Sequence, residues 1–291
     1  MKLKILATAL ILFSASAYGF SLSDYFTGVG SGEAALIELD GTIQPSQSSG
    51  FGAGSGITPE QVRELNQKAK DQGAEAIVYE INSGGGAVVA SKDVQRSVEN
   101  VDVPTVCRLR DVGASGAYLL SLGCDEIVAD SATFTGSVGV TGSYFQFTDL
   151  MDEVGVEYIN ITAGDNKEVG SPFQEITDEE REILLEQVDK VHEEFYTTVD
   201  ENRNLTDEQL EEVKTGKIFL GEEAQELGLV DELGGRETAF NRAENITDKE
   251  LRFRKVRTTP QFDIFSLLTM AVPQNLMDLM SSSDTPFRAE I

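Results

Sequence analysis

At 291 residues, with 40% hydrophobic and 8% aromatic content, the chain is long enough to bury a sizeable core. Its 23 basic and 50 acidic residues leave a formal net charge of -27, a field that repels phosphate backbones and argues against nucleic acid as a partner. With one histidine, two cysteines and no CxxC spacing, the composition also argues against a zinc site, and no motif calls for a cofactor. So acidic a surface is best tolerated where salt screens it, which fits a saline habitat.

The N-terminus has the layout of an export leader. Lys2 and Lys4 precede an apolar run from Ile5 to Phe13, followed by the small residues Ala15, Ser16 and Ala17. The run is short for a membrane span, which needs about 20 residues. Cleavage after Ala17 or Gly19 is the expectation, with a retained membrane anchor reaching Phe20 as the alternative. Either puts the body of the protein outside the cytoplasm, secreted or on the outer face of the membrane. The chain then divides into a leader or anchor (1–19), a spacer (20–33), one main domain (34–245) and a tail (246–291).

Within the main domain, Ala35 to Gly41 reads as a buried strand, and residues 44–56 as a Gly/Ser-rich loop. Thr58-Pro59-Glu60 opens a helix running to about Gln72, with threonine at the cap and proline at the first helical position. Strand–helix alternation follows: strand 76–81, helix 87–98, strand 105–109, short helix 116–122, strand 126–129 and a further strand at Val156 to Ile161. A long acidic helix begins at Thr177 in a capping-box pattern and reaches about Val199, and shorter helices occupy 206–213 and 221–227. This order predicts an α/β fold with a mostly parallel sheet covered by helices. Past residue 246 the pattern weakens; Arg252, Arg254, Lys255 and Arg257 form a basic cluster, and Phe262 to Met280 is apolar but broken by Pro273. That tail packs on its own domain, on a neighbouring subunit or on a membrane surface.

Three short clusters sit where strands end. Asn82-Ser83-Gly84-Gly85-Gly86 lies between a strand and a helix, where unobstructed amides can hold an anion. It lacks the spacing of a P-loop or of GxGxxG, so an oxyanion hole fits better than a phosphate cradle. Asp111 to Tyr118 carries Ser115 between small residues at a strand-to-helix junction, as a nucleophile elbow does; the alternative is a helix-capping serine. Gly164 to Pro172 carries Lys167 in a Gly-bounded loop, where a solvated surface lysine is the ordinary reading. A serine nucleophile needs a base, and His192 lies mid-helix among acids, on what reads as a solvated face. A desolvated lysine can replace histidine in that role.

Taken in order, NSGGG, DVGASGAY, TGSVGV and GDNKEVGSP followed by ITDEER resemble the short form of the signal peptide peptidase A family, over about residues 34 to 240. The resemblance implies the ClpP/crotonase-type fold of repeated β-β-α units and a Ser-Lys dyad without metal or other cofactor. It makes Ser115 the nucleophile, Lys167 the base, Gly86 the oxyanion-hole glycine with Gly116 as second donor, and Ser137 the hydroxyl that orients the lysine. It further implies hydrophobic peptide substrates such as cleaved signal peptides, and homo-oligomeric rings. Two departures stand out: Gly84 replaces the family's usual proline, and Ala117 replaces the second of two glycines after the nucleophile. A stomatin-directed membrane Ser-Lys peptidase and an inactive peptide-binding scaffold of the same fold remain alternatives. Acyl-CoA chemistry on this fold is cytoplasmic, against the leader. Cys107 and Cys124 stand near the starts of consecutive strands, either as an exported disulfide or as two buried thiols.

Overall fold

The computed structural model describes residues 32–47 and 56–257; the expected leader, most of the spacer, most of the Gly/Ser loop and the apolar stretch 262–280 lie outside the described residues. Strands β1 (Gly32–Asp40), β2 (Ile77–Ser83) and β3 (Thr105–Ala114) pair in parallel at the centre of the sheet. Helix α1 (Pro59–Asp71) links β1 to β2, and α2 (Val88–Glu99) links β2 to β3. Beyond β3 come α3 (Gly116–Ser121), β4 (Glu126–Ala129), β5 (Phe134–Gly136), α4 (Thr148–Val154) and the long α5 (Asp178–Arg203). The order closes with α6 (Asp207–Val213), β6 (Ile218–Leu220), α7 (Gly221–Glu226), β7 (Glu232–Leu233), α8 (Arg236–Thr247) and β8 (Leu251–Lys255).

The strand order is β6-β5-β3-β2-β1-β8, with β4 pairing β3 and β7. Every described pair is parallel except β5 with β6. β3 is long enough to serve two neighbours: Val106 to Leu109 pairs β4, and Val112 to Ala114 pairs β5. Its far end, and Ser115 after it, is therefore held by β2 on one side and β5 on the other.

The central strands are apolar on both faces because helices cover both. Ile37, Leu39, Ile77, Tyr79, Ile81 and Leu109 face a core completed by α1, α2, α3 and α5. The alternate residues Ala34, Leu36, Val78 and Val106 face a smaller core under Ala239 and Ala243 of α8. On that second face Glu38, Glu80 and Arg108 stand side by side in register. The Glu80 side chain is 0% exposed and is held by Arg108 at 2.6 Å and by both arms of Arg236, the first residue of α8. Burial alone would raise the Glu80 carboxyl, but hydrogen bonds from Arg236 and Arg108 outweigh it and hold it below the ordinary carboxylate range.

The expected helices are present within a few residues of their predicted ends. Thr58 caps α1 by accepting the Gln61 N–H, and Thr177 and Glu180 form the capping box of α5. The Cys107–Cys124 disulfide is formed, with Cα atoms 5.7 Å apart. Two expectations are corrected. Val156 to Ile161 is not a strand: no described strand lies beside it to pair with, and Ile161 is 95% exposed. Order does not weaken at 246, since β8 adds to the sheet beside β1 and the folded unit runs to Val256. Within β8 the basic residues are paired to β1: Arg252 and Arg254 with Glu33, and Lys255 with Glu38.

Two stability predictions follow from these contacts. Cys124→Ser opens a loop of 17 residues' separation and should lower unfolding free energy by about 3 kcal/mol in denaturant melts. Glu80 has its folded pKa below the unfolded one, so its contribution is complete above the ordinary carboxylate range and is lost as pH falls through the folded value. Glu80→Gln should cost about 3 kcal/mol at neutral pH and flatten the acid limb of midpoint against pH.

Candidate active site

The Gly-rich loop after β2 is shaped by a residue the sequence did not single out, Ile43. Its N–H donates to the Gly85 carbonyl and its carbonyl accepts the Ala87 N–H, both at 2.9 Å. These two bonds flank Gly86, so the Gly86 N–H is turned the opposite way, toward Gly116 and the Ser115 turn. The approach is tight. A Cβ on Gly86 would lie 2.0 Å from the Ile43 carbonyl oxygen. A Cβ on Gly85, whose φ is 94°, would lie 2.6 Å from the Gly116 nitrogen. Gly116 is pressed in turn against Ser91 of α2, where a Cβ would come within 2.3 Å of the hydroxyl oxygen.

Ser115 occupies the junction between β3 and α3 with φ 53° and ψ -126°, in the region L side chains rarely adopt. Strain of this kind costs on the order of 1–3 kcal/mol and persists only where surrounding structure enforces it. Here the Ser115 N–H donates to the Gly136 carbonyl and its own carbonyl accepts the Leu119 N–H. Although it sits at the cap position of α3, its hydroxyl makes no capping bond. The helix behind it is anchored by the buried Tyr118, whose hydroxyl donates to the Leu229 carbonyl at 2.9 Å, and by the fully buried Ala117. Alanine thus fits where the family has its second glycine.

Ser137 follows β5, again at positive φ (53°), with its N–H donating to the Lys217 carbonyl. Ser115, Gly86, Gly116 and Ser137 all line one cleft of about 490 Å³. Its walls are apolar in part, with Val88, Leu119, Val188 and Phe195, while Ser91, Lys92, His192 and Lys214 add polar groups. His192 is corrected: it is half-buried and faces the cleft, its Nε2 3.1 Å from the Val138 carbonyl and its ring edge-on to Tyr196. The reason is the helical stripe Val188, His192, Phe195 and Val199, which turns one side of α5 inward.

Lys167 is the residue the structure leaves apart. It lies exposed in the turn 164–170, outside the cleft lining, and its Nζ has no partner among the described residues. The segment around it carries much exposed apolar surface, including Phe145 (77%) and Ile159 (73%). Phe145, Phe147, Phe173 and Tyr158 form a chain of ring contacts with centroids 5.3 to 6.4 Å apart.

Residues 99–251, which hold Ser115, Ser137 and Lys167, match the profile of peptidase family S49. The chain belongs to peptidase family S49. It is 34% identical to a provisionally named protease of Methanocaldococcus jannaschii, over 68% of this chain and 67% of the relative. It is 28% identical to Protease 4 of Haemophilus influenzae, over 74% of this chain but only 35% of that longer protein. Among solved structures, a complex of the 1510-N membrane-bound stomatin-specific protease with a substrate peptide superposes with a TM-score of 0.52. The overlap takes in 83% of this chain and all of that one, at 12% identity, a likeness of fold. The S49 chain is thus a serine peptidase homologue with the expected α/β architecture.

The glycines separate by what a methyl would meet. Gly84, in place of the family's proline, has nothing within 4 Å of a built Cβ, whereas Gly86 faces a backbone carbonyl. Gly84→Ala should keep peptide cleavage within about 2-fold of wild type, while Gly86→Ala, which must push the loop off the Ile43 carbonyl, should lower kcat by about 100-fold, the effect expected if the Gly86 N–H is an oxyanion donor.

Proposed function

We propose that this S49 peptidase is an exported serine endopeptidase that degrades hydrophobic peptides, such as cleaved signal peptides, through Ser115 as nucleophile and Lys167 as base. The observation that carries the reading is Ser115 itself: a strained turn, a hydroxyl with no partner among the described residues, and the Gly86 and Gly116 amides beside it. Apolar cleft walls support an apolar substrate side chain, and a formal charge of -27 does nothing against a neutral segment. The disulfide and the leader-like N-terminus support export. Among the described residues no helix is long and apolar enough to cross a membrane.

In this mechanism neutral Lys167 takes the Ser115 proton as the hydroxyl attacks the scissile carbonyl. The tetrahedral oxyanion is held by the Gly86 and Gly116 N–H groups. Lys167 then protonates the leaving amine, and water hydrolyses the acyl-enzyme by the same route. Ser137, on the cleft wall, orients the lysine. A lysine acts as base only once desolvated, and Lys167 is exposed in the single chain. Assembly supplies the missing burial: the apolar segment 144–173 packs against a second copy in a homo-oligomeric ring, bringing Lys167 to a Ser115 and shutting out water.

A second reading has one specific observation in its favour. Because Lys167 does not line the cleft, the chain could instead hold peptides without cleaving them.

Cleavage of a fluorogenic apolar peptide by protein lacking residues 1–19, in low and high salt, decides between the two. Wild type should cleave, while Ser115→Ala and Lys167→Ala should each lose at least about 1,000-fold in kcat while remaining folded. If the dyad forms between copies, mixing the two inactive variants restores part of the activity. Full activity in Lys167→Ala would move the base elsewhere; an inert wild type in an intact oligomer would favour the peptide-binding scaffold.

A further inference from the structure

We infer that His192 is a positioning residue for this site, a hydrogen-bond clamp from α5 onto the Ser137 loop, and not the proton acceptor. The inference rests on the reading of Ser115 as nucleophile. His192 is the only histidine of the chain, and it shares the cleft with Ser115. Its Nε2 lies 3.1 Å from the carbonyl oxygen of Val138, a residue 0% exposed. A carbonyl can only accept, so Nε2 carries the hydrogen. Nε2 is thus committed as a donor, and Nδ1, the nitrogen left to accept, makes no hydrogen bond to the Ser115 hydroxyl among the described residues.

What the clamp holds is visible in the backbone. Three consecutive residues are tied to three different elements: the Gly136 carbonyl to the Ser115 N–H, the Ser137 N–H to the Lys217 carbonyl, and the Val138 carbonyl to His192. Past Val138 no backbone hydrogen bond engages the chain, among the described residues, until Phe147 N–H meets the Pro172 carbonyl. His192 therefore makes the last tether before the chain leaves the cleft for the segment that carries Lys167. Freeing Val138 would loosen the Ser137 hydroxyl and the departure point of that segment together.

The clamp is insensitive to histidine charge, because neutral Nε2–H imidazole and imidazolium both donate through Nε2. The charged and titratable groups around it are Lys92 on α2, Asp189, Glu194 and Tyr196 on its own helix, and Lys214 after α6. Lys92 is paired with Glu194; Lys214 is paired with Glu211 and sits over the Tyr196 ring. A general base would behave differently, imposing its own titration on the rate.

The test compares wild type, His192→Ala, His192→Gln and Ser115→Ala in peptide cleavage across pH 5 to 9, with thermal midpoints measured alongside. His192→Ala should lower kcat roughly 10- to 100-fold with KM nearly unchanged, as expected for a misplaced catalytic group. His192→Gln, whose amide N–H can reach the Val138 carbonyl, should recover most of the loss and keep the wild-type pH profile. The clamp is overturned if His192→Ala cleaves like wild type, or if it lowers only the thermal midpoint. It is equally overturned if His192→Gln is as dead as Ser115→Ala. Activity that survives Ser115→Ala would sink the nucleophile reading instead. A readout independent of turnover is nitrogen NMR of the single imidazole in the neutral form. An Nε2–H tautomer supports the clamp and an Nδ1–H tautomer removes it, even in a wild type that cleaves nothing.

Discussion

Gly85 and Gly86 approach the Ser115 turn so closely that no side chain could stand between them, and most of the site depends on that contact. One methyl on Gly85 would meet the Gly116 nitrogen at 2.6 Å, and one on Gly86 would meet the Ile43 carbonyl at 2.0 Å. The loop after β2, the strand leading from β1 and the turn after β3 are consequently a single packed unit. Ile43 is the hinge of this arrangement, since its two backbone bonds leave the Gly86 N–H pointing toward the serine. A preorganised donor costs no reorganisation when negative charge develops, which is the physical basis for reading the site as an acyl-transfer centre.

The strand that bears Ser115 is braced along its length. Cys107 ties β3 to the chain just past α3, Arg108 joins the buried Glu80 cluster, and the last residues pair with β2 and β5. Backbone strain at Ser115 is sustained by such bracing. The acidic excess is accommodated on the same principle. Glu80 is buried only because two guanidinium groups meet it, and the basic residues of β8 are spent on Glu33 and Glu38 of β1.

In the single chain Gly86, Gly116 and a serine hydroxyl without a partner among the described residues line one cleft, while the proposed base sits on an exposed apolar segment outside it. Under the Ser115–Lys167 proposal, such a division would keep the site incomplete until apolar surface is covered. On the proposed mechanism, that covering would couple activity to assembly. Within the cleft, α5 contributes both an apolar wall and the imidazole that meets Val138, so one amphipathic helix closes the site and tethers its loop.

Much of this was legible in the residues. The apolar strands, the caps at Thr58 and Thr177, and the small residues around Ser115 are local signals, set by side-chain period and backbone sterics over a few positions. The ordered motifs were enough to name the fold and to pick Ser115, Gly86, Gly116 and Ser137, which do share one cleft. Other features depend on partners distant in the chain, and there local reading failed. Val156 to Ile161 has a strand's composition but pairs with no strand among the described residues, and it stays exposed without regular structure. The partners of the basic run after residue 250 could not be read locally, because its glutamates lie on β1, more than 200 positions earlier. His192 looked solvated because its neighbours in sequence are acids; the side of α5 it occupies is decided by packing. By itself, the sequence determined the class of fold and the candidates for the chemistry, because those follow from residue type and short spacing. Which amides face the serine, where the histidine points and where the lysine is left were decided only by tertiary structure, because each depends on contacts between segments far apart in the chain.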